Sequence, residues 1–279
     1  MAIRFAGSKT ITLPEFKELA PFVYTPASGR SVQGNTELEA SENYNFDLKY
    51  EFFPRSGELI SGSLFHKIIK DPINKTFQRG AANNLSYFNT ADEATVTGLE
   101  IEAKLDIIDI ENIAKVSTLF NVTRLWHNQE LKAADPENGQ FDEFRFGDTT
   151  EIGLEGASDW IINGALTYSN NRENEFSATI SGNYSSDKIN ALGGPNGPGT
   201  FETIFSNEII EEGFVTLDLV LSKELIKNLT LRVTALNILN PEIKRTQIID
   251  DITTGESEKA TVLSYKKGNT YNVNLSYNF

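Results

Sequence analysis

Two histidines are the residues best suited to catalysis, because imidazole serves as a general base near neutral pH. They are His66 and His127, the only histidines in the chain. A hydrolase would need an aspartate near one of them to activate water. The two histidines lie in separate strand-like segments, and no nucleophile, base and orienting group can be assembled from the sequence. We therefore expect no catalytic residue, and structural roles for both histidines.

Acidic side chains form two groups whose oxygen atoms could hold Ca²⁺. The first contains Asp135, Glu137, Asp142, Glu143, Asp148, Glu151 and Glu155, and the second contains Asp250, Asp251, Glu256 and Glu258. Neither spacing matches a DxDxDG-type calcium loop. We expect a solvated surface here, and the sequence predicts no metal site and no cofactor.

Three aromatic residues within the first acidic group are candidates for ligand binding. They are Phe141, Phe144 and Phe146. Binding residues concentrate in loops that a rigid scaffold presents, so these rings could contact a ligand. Packing of the rings within their own loop is an equally good interpretation.

Composition excludes several other kinds of function. The formal charge is −14 and the pI is near 4.7, so nucleic acid would be repelled, and no basic patch offsets the repulsion. The absence of cysteine excludes disulfides and thiolate metal sites. The segment GGPNGPG, residues 193–199, lacks the Lys-Ser/Thr pair of a phosphate-binding loop.

The segments that carry these residues show the two-residue period of β-strands. In NYNFDLKYEFF, residues 43–53, apolar side chains alternate with Asn, Asp, Lys and Glu. Strand-like patterns also occur in residues 3–12, 58–70, 95–106, 114–130, 160–168, 176–184, 215–222, 229–235 and 269–279. The sequence therefore predicts an all-β protein of about ten antiparallel strands, many near the roughly 9–11 residues that cross a bilayer.

The connections between these strands alternate in length. Short turns are expected near residues 54–57, 108–112, 170–174 and 224–227. Long polar loops are expected at residues 14–42, 72–92, 132–158, 188–212 and 240–260. All long loops would then lie at one end of the sheet.

Two architectures fit such two-faced strands. A soluble β-sandwich turns the apolar face into a core, whereas a transmembrane barrel turns it toward lipid. Long strands, loops of unequal length at the two ends and aromatic residues near strand ends favour the barrel. Charged residues on the other face, such as Asp47, Glu102 and Arg232, suit a hydrated lumen. The chain contains no run of about 18 apolar residues, so the sequence predicts no transmembrane helix.

Six stretches of the chain, in this order, resemble the C-terminal half of the barrel of a TonB-dependent outer-membrane receptor of the Bacteroidetes type. They are SKTITLPEFKELAPF (8–22), QGNTELEASENYNFDLKYEFFP (33–54), LISGSLFHKIIKDPI (59–73), VTGLEIEAKL (96–105), LTLRVTALNILNP (229–241) and the final strand ending at Phe279. The resemblance covers nearly the whole chain, and the ordered set makes it specific. Leu13 departs from the pattern, because a basic residue is expected before Pro14.

The resemblance implies a transmembrane barrel of about 22 strands around a plug domain. Residues 1–279 would supply about ten of those strands, while the plug, the N-terminal strands, the TonB box and an export signal would be absent from this sequence. It also implies a receptor in the bacterial outer membrane, not an enzyme, that imports a scarce nutrient such as a metal chelate, a siderophore or a glycan. The implied partners are outer-membrane lipid, the barrel assembly machinery, the nutrient ligand and, through the missing plug, the TonB complex.

The last strand has two unlike faces. Small polar residues alternate there with Tyr271, Val273, Leu275, Tyr277 and Phe279. The resemblance implies that these five residues face lipid and that the closing aromatic is the signal read by the outer-membrane assembly machinery.

Two further hypotheses stay open at this point. One is a self-contained soluble β-sandwich that acts as a binding module. The other is a small closed outer-membrane barrel, which could be enzymatic. A closed barrel of about ten strands must pair residues 3–12 with residues 271–279, whereas in part of a larger barrel these strands belong beside others.

Overall fold

The computed structural model of the chain describes residues 1–26, 30–78, 84–111, 113–132, 151–170, 175–196, 204–250 and 254–279. Strands dominate it, as the alternating sequence pattern predicts. In chain order the elements are β1 (Ala2–Thr12), α1 (Phe16–Leu19), β2 (Val23–Tyr24), β3 (Val32–Gln33), β4 (Ser41–Phe52), β5 (Leu59–Lys70), β6 (Ile73–Phe77), β7 (Leu85–Asn89), β8 (Ala91–Ile110), β9 (Ala114–Leu131), β10 (Glu151–Ile152), β11 (Trp160–Ser169), β12 (Phe176–Ser185), β13 (Lys188–Ala191), β14 (Gly194–Asn196), β15 (Ile204–Ser206), β16 (Ile209–Glu211), β17 (Phe214–Ile226), β18 (Leu229–Leu236), β19 (Glu242–Asp250), β20 (Ser257–Lys266) and β21 (Thr270–Tyr277).

Ten long strands form the main sheet. Their order is β1-β4-β5-β8-β9-β11-β12-β17-β18-β21, with β10 added beside β9, and every neighbouring pair is antiparallel. The prediction of about ten antiparallel strands is confirmed. Several bounds differ from the prediction: β8 runs from Ala91 to Ile110, β4 begins at Ser41 and β17 continues to Ile226. The turn after β17 is therefore made by Lys227 and Asn228, and Asn228 adopts a φ of 69°.

The main sheet has one apolar and one polar face, set by the two-residue period of the strands. The apolar face carries Ile3, Phe5, Phe46, Leu48, Tyr50, Leu64, Leu99, Ile101, Phe120, Leu166, Ile180 and Val273, all of them exposed. The polar face carries ion pairs such as that of Lys49 with Glu102, at 3.5 Å. A β-sandwich would bury the apolar face in its core, so this exposure does not support the sandwich hypothesis.

The strands at the two edges of the main sheet decide between a small barrel and a larger one. Within the described residues β1 pairs only with β4, and β21 pairs only with β18. A closed barrel of about ten strands would pair β1 with β21. The hypothesis of a small closed barrel is therefore wrong for this sheet.

The long connections are not simple polar loops, which corrects the sequence prediction. Within the described residues, the connection at residues 132–158 contributes β10 to the main sheet, whereas the other four form a four-stranded sheet β2-β3-β7-β6, a second sheet β13-β16-β19-β20 and the pair β14-β15. We call these strands the loop layer. The larger buried apolar cluster of the described residues lies here: Val32, Phe77, Leu85, Tyr87, Ala191 and Ile209. The short connections between main-sheet strands lie at the opposite end of the main sheet.

None of the helices in the described ranges has the length and apolar character needed to cross a membrane.

The turn between β4 and β5 is closed by a buried glutamate. The Glu58 side chain is 2% exposed and lies 2.8 Å from the Arg55 guanidinium. Its Oε1 also accepts a hydrogen bond of 3.0 Å from the backbone N–H of Asp106 in β8. Arg55 in turn donates to the carbonyl oxygen of Asp106 at 3.0 Å. The turn is thus fastened to the neighbouring strand at this end of the sheet.

Replacing Glu58 by alanine should lower the free energy of unfolding by about 2 kcal/mol, because a buried N–H loses its acceptor and Arg55 loses its partner. Urea unfolding of the protein in lipid vesicles would measure the change. Glu111→Ala, at an exposed position of the next turn, is the matched control and should change it by less than about 0.5 kcal/mol. Equal stability of the two variants would show that the Glu58 contacts do not hold the turn.

Candidate ligand cleft

A cleft of about 190 Å³ opens in the loop layer, between its two four-stranded sheets. Three kinds of side chain line it: apolar groups, tyrosines and cations. The lining includes Val32, Leu85, Ile209, Val262, Leu263, Tyr24, Tyr87, Lys17, Arg30, Lys75 and Arg245. Apolar walls with a few convergent polar groups are the usual composition of a small-molecule site.

Strand pairing brings the two sides of the cleft together. β3 pairs with β7 in parallel, which places Val32 opposite Leu85. β16 pairs with β19, which places Glu211 opposite Arg245. An isolated bridge between Thr76 of β6 and Leu192, which follows β13, links the two sheets, and the Thr76 hydroxyl donates to the carbonyl oxygen of Gly193 at 2.8 Å. The cleft is therefore built by contacts between separate connections of the main sheet.

Three of the four cations in the cleft are paired with a carboxylate. Lys17 lies 2.8 Å from Glu15. Lys75 Nζ lies 2.6 Å from Glu155 Oε1. The Nε of Arg245 lies 3.0 Å from Glu211. Desolvation of Glu211 is outweighed by Arg245 and Lys188 together, so the pKa of Glu211 lies below its ordinary value and this carboxylate remains charged at neutral pH.

Arg30 is the exception among the cations. Its guanidinium carbon lies 5.2 Å from the centre of the buried Phe77 ring, and Nη2 donates to Gln247 at 3.4 Å. Across the described ranges no carboxylate forms an ion pair with it. Burial lowers the pKa of the Arg30 guanidinium from its ordinary value, but arginine keeps its proton in proteins. The cleft thus contains a positive charge that a bound anion can compensate.

The two tyrosines add hydroxyl groups to the apolar wall. The Tyr24 and Tyr87 hydroxyls are 3.3 Å apart. Burial, followed by the hydrogen bond with Tyr24, raises the pKa of Tyr87 well above its ordinary value. Tyr87 is therefore a neutral phenol that can donate or accept a hydrogen bond. With Arg30, the tyrosines suit an anionic ligand that also carries apolar or aromatic groups.

The two histidines do not form a common site. His66 pairs with Thr97 and His127 with Val96, so they lie on opposite faces of the main sheet. His66 Nδ1 contacts the Thr97 hydroxyl at 2.8 Å on the apolar face. His127 Nδ1 accepts from the backbone N–H of Leu154 at 2.9 Å, and Nε2 lies 3.3 Å from Asp159. Both histidines therefore have contacts with neighbouring residues, and that neither is catalytic stays a prediction.

Several predicted candidates lie outside the described residues. These are Phe141, Phe144 and Phe146, the acidic residues Asp135, Glu137, Asp142, Glu143 and Asp148, the end of the GGPNGPG segment, and Asp251. Among the residues that are described, no three histidine, aspartate or glutamate side chains are grouped as a metal site would require. Glu155 binds Lys75, and Asp250 accepts from Asn207 at 2.7 Å.

The predicted assembly residues are in the last strand and beyond its end. Tyr271, Val273, Leu275 and Tyr277 lie opposite Ala235, Val233, Leu231 and Leu229 of β18. They are between 52% and 73% exposed. The rings of Tyr277 and Phe279 meet edge to face with centres 5.2 Å apart. They extend the apolar face of the main sheet to its edge.

The cleft residues were missed by sequence reasoning, which found no basic patch. Arg30, Lys75 and Arg245 lie in three different connections, and only strand pairing brings them together. Residues 242–250 show no two-residue period, because four consecutive polar residues are followed by Ile248 and Ile249, so the sequence of this connection does not mark it as a strand.

The chain was compared with protein families, curated proteins and solved structures. A family profile described as TonB dependent receptor-like, beta-barrel matches residues 1–238. A search of curated proteins found no significant match. Among solved structures, a variant of the ferric enterobactin receptor PfeA of Pseudomonas aeruginosa has a TM-score of 0.55 and 16% identity, over 99% of this chain and 38% of that one.

Two further solved structures are similar to the chain. The siderophore receptor PirA of Acinetobacter baumannii has a TM-score of 0.54 and 15% identity, with 99% of this chain and 39% of that one covered. The ferric yersiniabactin uptake receptor FyuA of Yersinia pestis has a TM-score of 0.51 and 13% identity, with 99% and 34% covered. At such identities the similarity shows the fold alone. The chain spans a little over a third of the length of these structures.

Proposed function

The chain belongs to the TonB-dependent receptor β-barrel family, and we propose that it forms part of a receptor that imports a small anionic nutrient, such as a siderophore-type metal chelate, across the bacterial outer membrane. The family consists of receptors and transporters, and the absence of a catalytic site in this chain stays a prediction. Its location is the outer membrane. The Bacteroidetes type stays a prediction.

The ten strands of the main sheet would contribute to a larger barrel. Its apolar face would contact lipid, because exposed leucine, isoleucine and phenylalanine side chains are stable there and not in water. The polar face would line the lumen around a plug domain, through which the TonB complex would supply energy. The loop layer would then face the outside, as long loops do in outer-membrane barrels. The apolar residues of β21 and Phe279 would be recognised by the assembly machinery.

The observation that carries the ligand proposal is the cleft containing Arg30. A guanidinium without a carboxylate partner within the described residues, beside two phenols and an apolar wall, favours an anionic ligand over an uncharged glycan. The similar solved structures include receptors whose names specify ferric enterobactin and ferric yersiniabactin, which is compatible with a chelate of this kind.

Replacing Arg30 by glutamine should weaken binding of an anionic probe by about tenfold, since hydrogen bonds to charged groups contribute about 1.5–3 kcal/mol. The probe is a ferric tris-catecholate, and tryptophan fluorescence quenching of the purified receptor measures its affinity. Lys267→Gln is the control. It removes an exposed cation at the loop-layer end of the sheet that does not line the cleft, and it should leave binding unchanged.

Binding of an uncharged oligosaccharide distinguishes the other nutrient class. If Arg30→Gln bound the ferric tris-catecholate as tightly as the unaltered protein, and the oligosaccharide competed for the site, the anionic-ligand proposal would be wrong. A glycan receptor would then take its place.

A further inference from the structure

An arginine lies between the chain's only two tryptophans on the apolar face of the main sheet. Arg124 is opposite Leu99 on β8 and opposite Trp160 on β11. Its guanidinium carbon is 5.3 Å from the ring centre of Trp126 and 5.3 Å from that of Trp160. Both indoles are exposed, at 51% and 44%. Arg4 and Arg232, the other arginines in described main-sheet strands, lie on the polar face.

This cluster lies near the loop-layer end of the apolar face. β9 runs from the short turn before Ala114 toward Leu131, and Arg124 is in its second half. Trp160 is the first residue of β11, and its backbone N–H donates to Ser186, which follows β12. A charge within hydrocarbon is costly, while arginine and tryptophan are favourable where hydrocarbon meets headgroups. The cluster therefore marks the headgroup level on this side of the membrane.

Asp159 contacts one end of the guanidinium, whose side chain is 22% exposed, and within the described residues Nε and Nη2 donate to no protein acceptor. Arg124 Nη1 lies 2.6 Å from Asp159 Oδ2, while Asp159 Oδ1 lies 3.3 Å from His127. The backbone N–H of Leu125 donates to the Asp159 carbonyl oxygen at 2.8 Å, which holds the aspartate in place. Neither indole N–H has a hydrogen-bond acceptor in the described part of the chain. Donors on a lipid-facing surface need acceptors, and headgroup oxygens are available at this level.

We propose that Arg124, Trp126 and Trp160 bind the phosphate group of an anionic lipid headgroup in the adjacent leaflet. The free edge of the guanidinium donates to phosphate oxygens, which arginine recognises through parallel N–H groups. The two indoles hold the guanidinium by cation–π contacts and direct their own N–H groups toward the headgroup. Asp159 offsets part of the positive charge of Arg124. Recognition of the phosphate therefore depends on the placement of the remaining N–H groups as well as on charge. This inference rests on the lipid-facing orientation in the proposed function.

Native mass spectrometry of the detergent-purified protein with added lipid tests the site. The unaltered protein should retain phosphatidylglycerol in preference to phosphatidylcholine. Arg124→Gln should lower the retention of phosphatidylglycerol by about fivefold, the effect of about one basic side chain at a membrane surface. Arg124→Lys keeps the charge and should preserve the preference at reduced affinity. Arg232→Gln removes a polar-face arginine and should behave like the unaltered protein.

Three outcomes would overturn the inference. One is equal retention of phosphatidylglycerol by Arg124→Gln and the unaltered protein, with both folded by circular dichroism. Another is complete displacement of the lipid by an equal concentration of inorganic phosphate, which would mean that the site recognises free phosphate. The third is retention of neither lipid by the unaltered protein, which would refute the lipid-facing orientation as well. The first two outcomes leave the proposed uptake function intact.

Discussion

Leu64→Arg is expected to prevent stable insertion of the main sheet into lipid. Leu64 lies at the middle of β5, between Leu48 on β4 and Leu99 on β8, and is 50% exposed. If this face contacts hydrocarbon, an arginine here costs about 2–4 kcal/mol at the midplane. Urea unfolding in lipid vesicles measures that loss, and the heat-dependent shift of the folded protein on gels measures the fraction assembled.

The neighbouring residue supplies the matched control. Ser63 lies opposite Lys49 and Glu100 on the polar face, so Ser63→Arg adds the same side chain one position away, beside a carboxylate. It should change the free energy of unfolding by less than about 0.5 kcal/mol. If instead Leu64→Arg improved solubility without loss of stability, the apolar face would be in contact with water. The assignment of a membrane barrel to this sheet would then fail.

Most of the main sheet could be predicted because the alternation of apolar and polar residues within a strand shows which side chains lie on the apolar face. In β4, Phe46, Leu48 and Tyr50 alternate with charged residues, and the structure exposes all three on the apolar face. In β5 the sequence left the facing open, since Leu64 and Phe65 are both apolar. The structure places Phe65 opposite Gly98 on the polar face, where a Cβ on Gly98 would lie 2.0 Å from the Phe65 ring. An aromatic ring occupying the space above a glycine explains the break in the pattern.

The loop layer could not be predicted because its strands depend on contacts between segments that are distant in the sequence. β6 and β7 are five residues each. Three consecutive residues of β7 are buried, and the alternately buried residues of β6 include the polar Asn74 and Thr76, so neither sequence alternates between apolar and polar residues. The parallel pairing of β3 with β7 joins residues about 50 positions apart, and nothing near either strand specifies it. The cleft depends on that pairing. In the sequence Arg30 therefore looks like an ordinary polar residue of a loop. In the structure it contacts the buried Phe77 ring, and no carboxylate of the described residues forms an ion pair with it.

Gly34→Ala is expected to disrupt the cleft while leaving the main sheet intact. A Cβ at Gly34 would lie 2.3 Å from the carbonyl oxygen and 2.6 Å from the nitrogen of Ala20. These are backbone atoms that cannot rotate away, and Ala20 is 4% exposed. The Gly34 N–H also donates to the Ala20 carbonyl at 3.1 Å, and Asn35 donates to Glu18 at 2.6 Å. Separating these segments should cost about 1–3 kcal/mol locally.

The contact between Ala20 and Gly34 lies next to residues that line the cleft. Gly34 directly follows β3, which carries the buried Val32, and Glu18 follows Lys17, so the contact holds two parts of the cleft lining together. Hydrogen exchange should show loss of protection in residues 15–38, and binding of the ferric tris-catecholate should fall by about tenfold, while protection of β8 and β9 is unchanged. Gly62→Ala is the control, because no atom lies within 4 Å of its Cβ position. Full protection and binding in Gly34→Ala would mean that the close approach of Ala20 and Gly34 does not position the cleft, and that the pairing of β3 with β2 and β7 is enough to hold it in place.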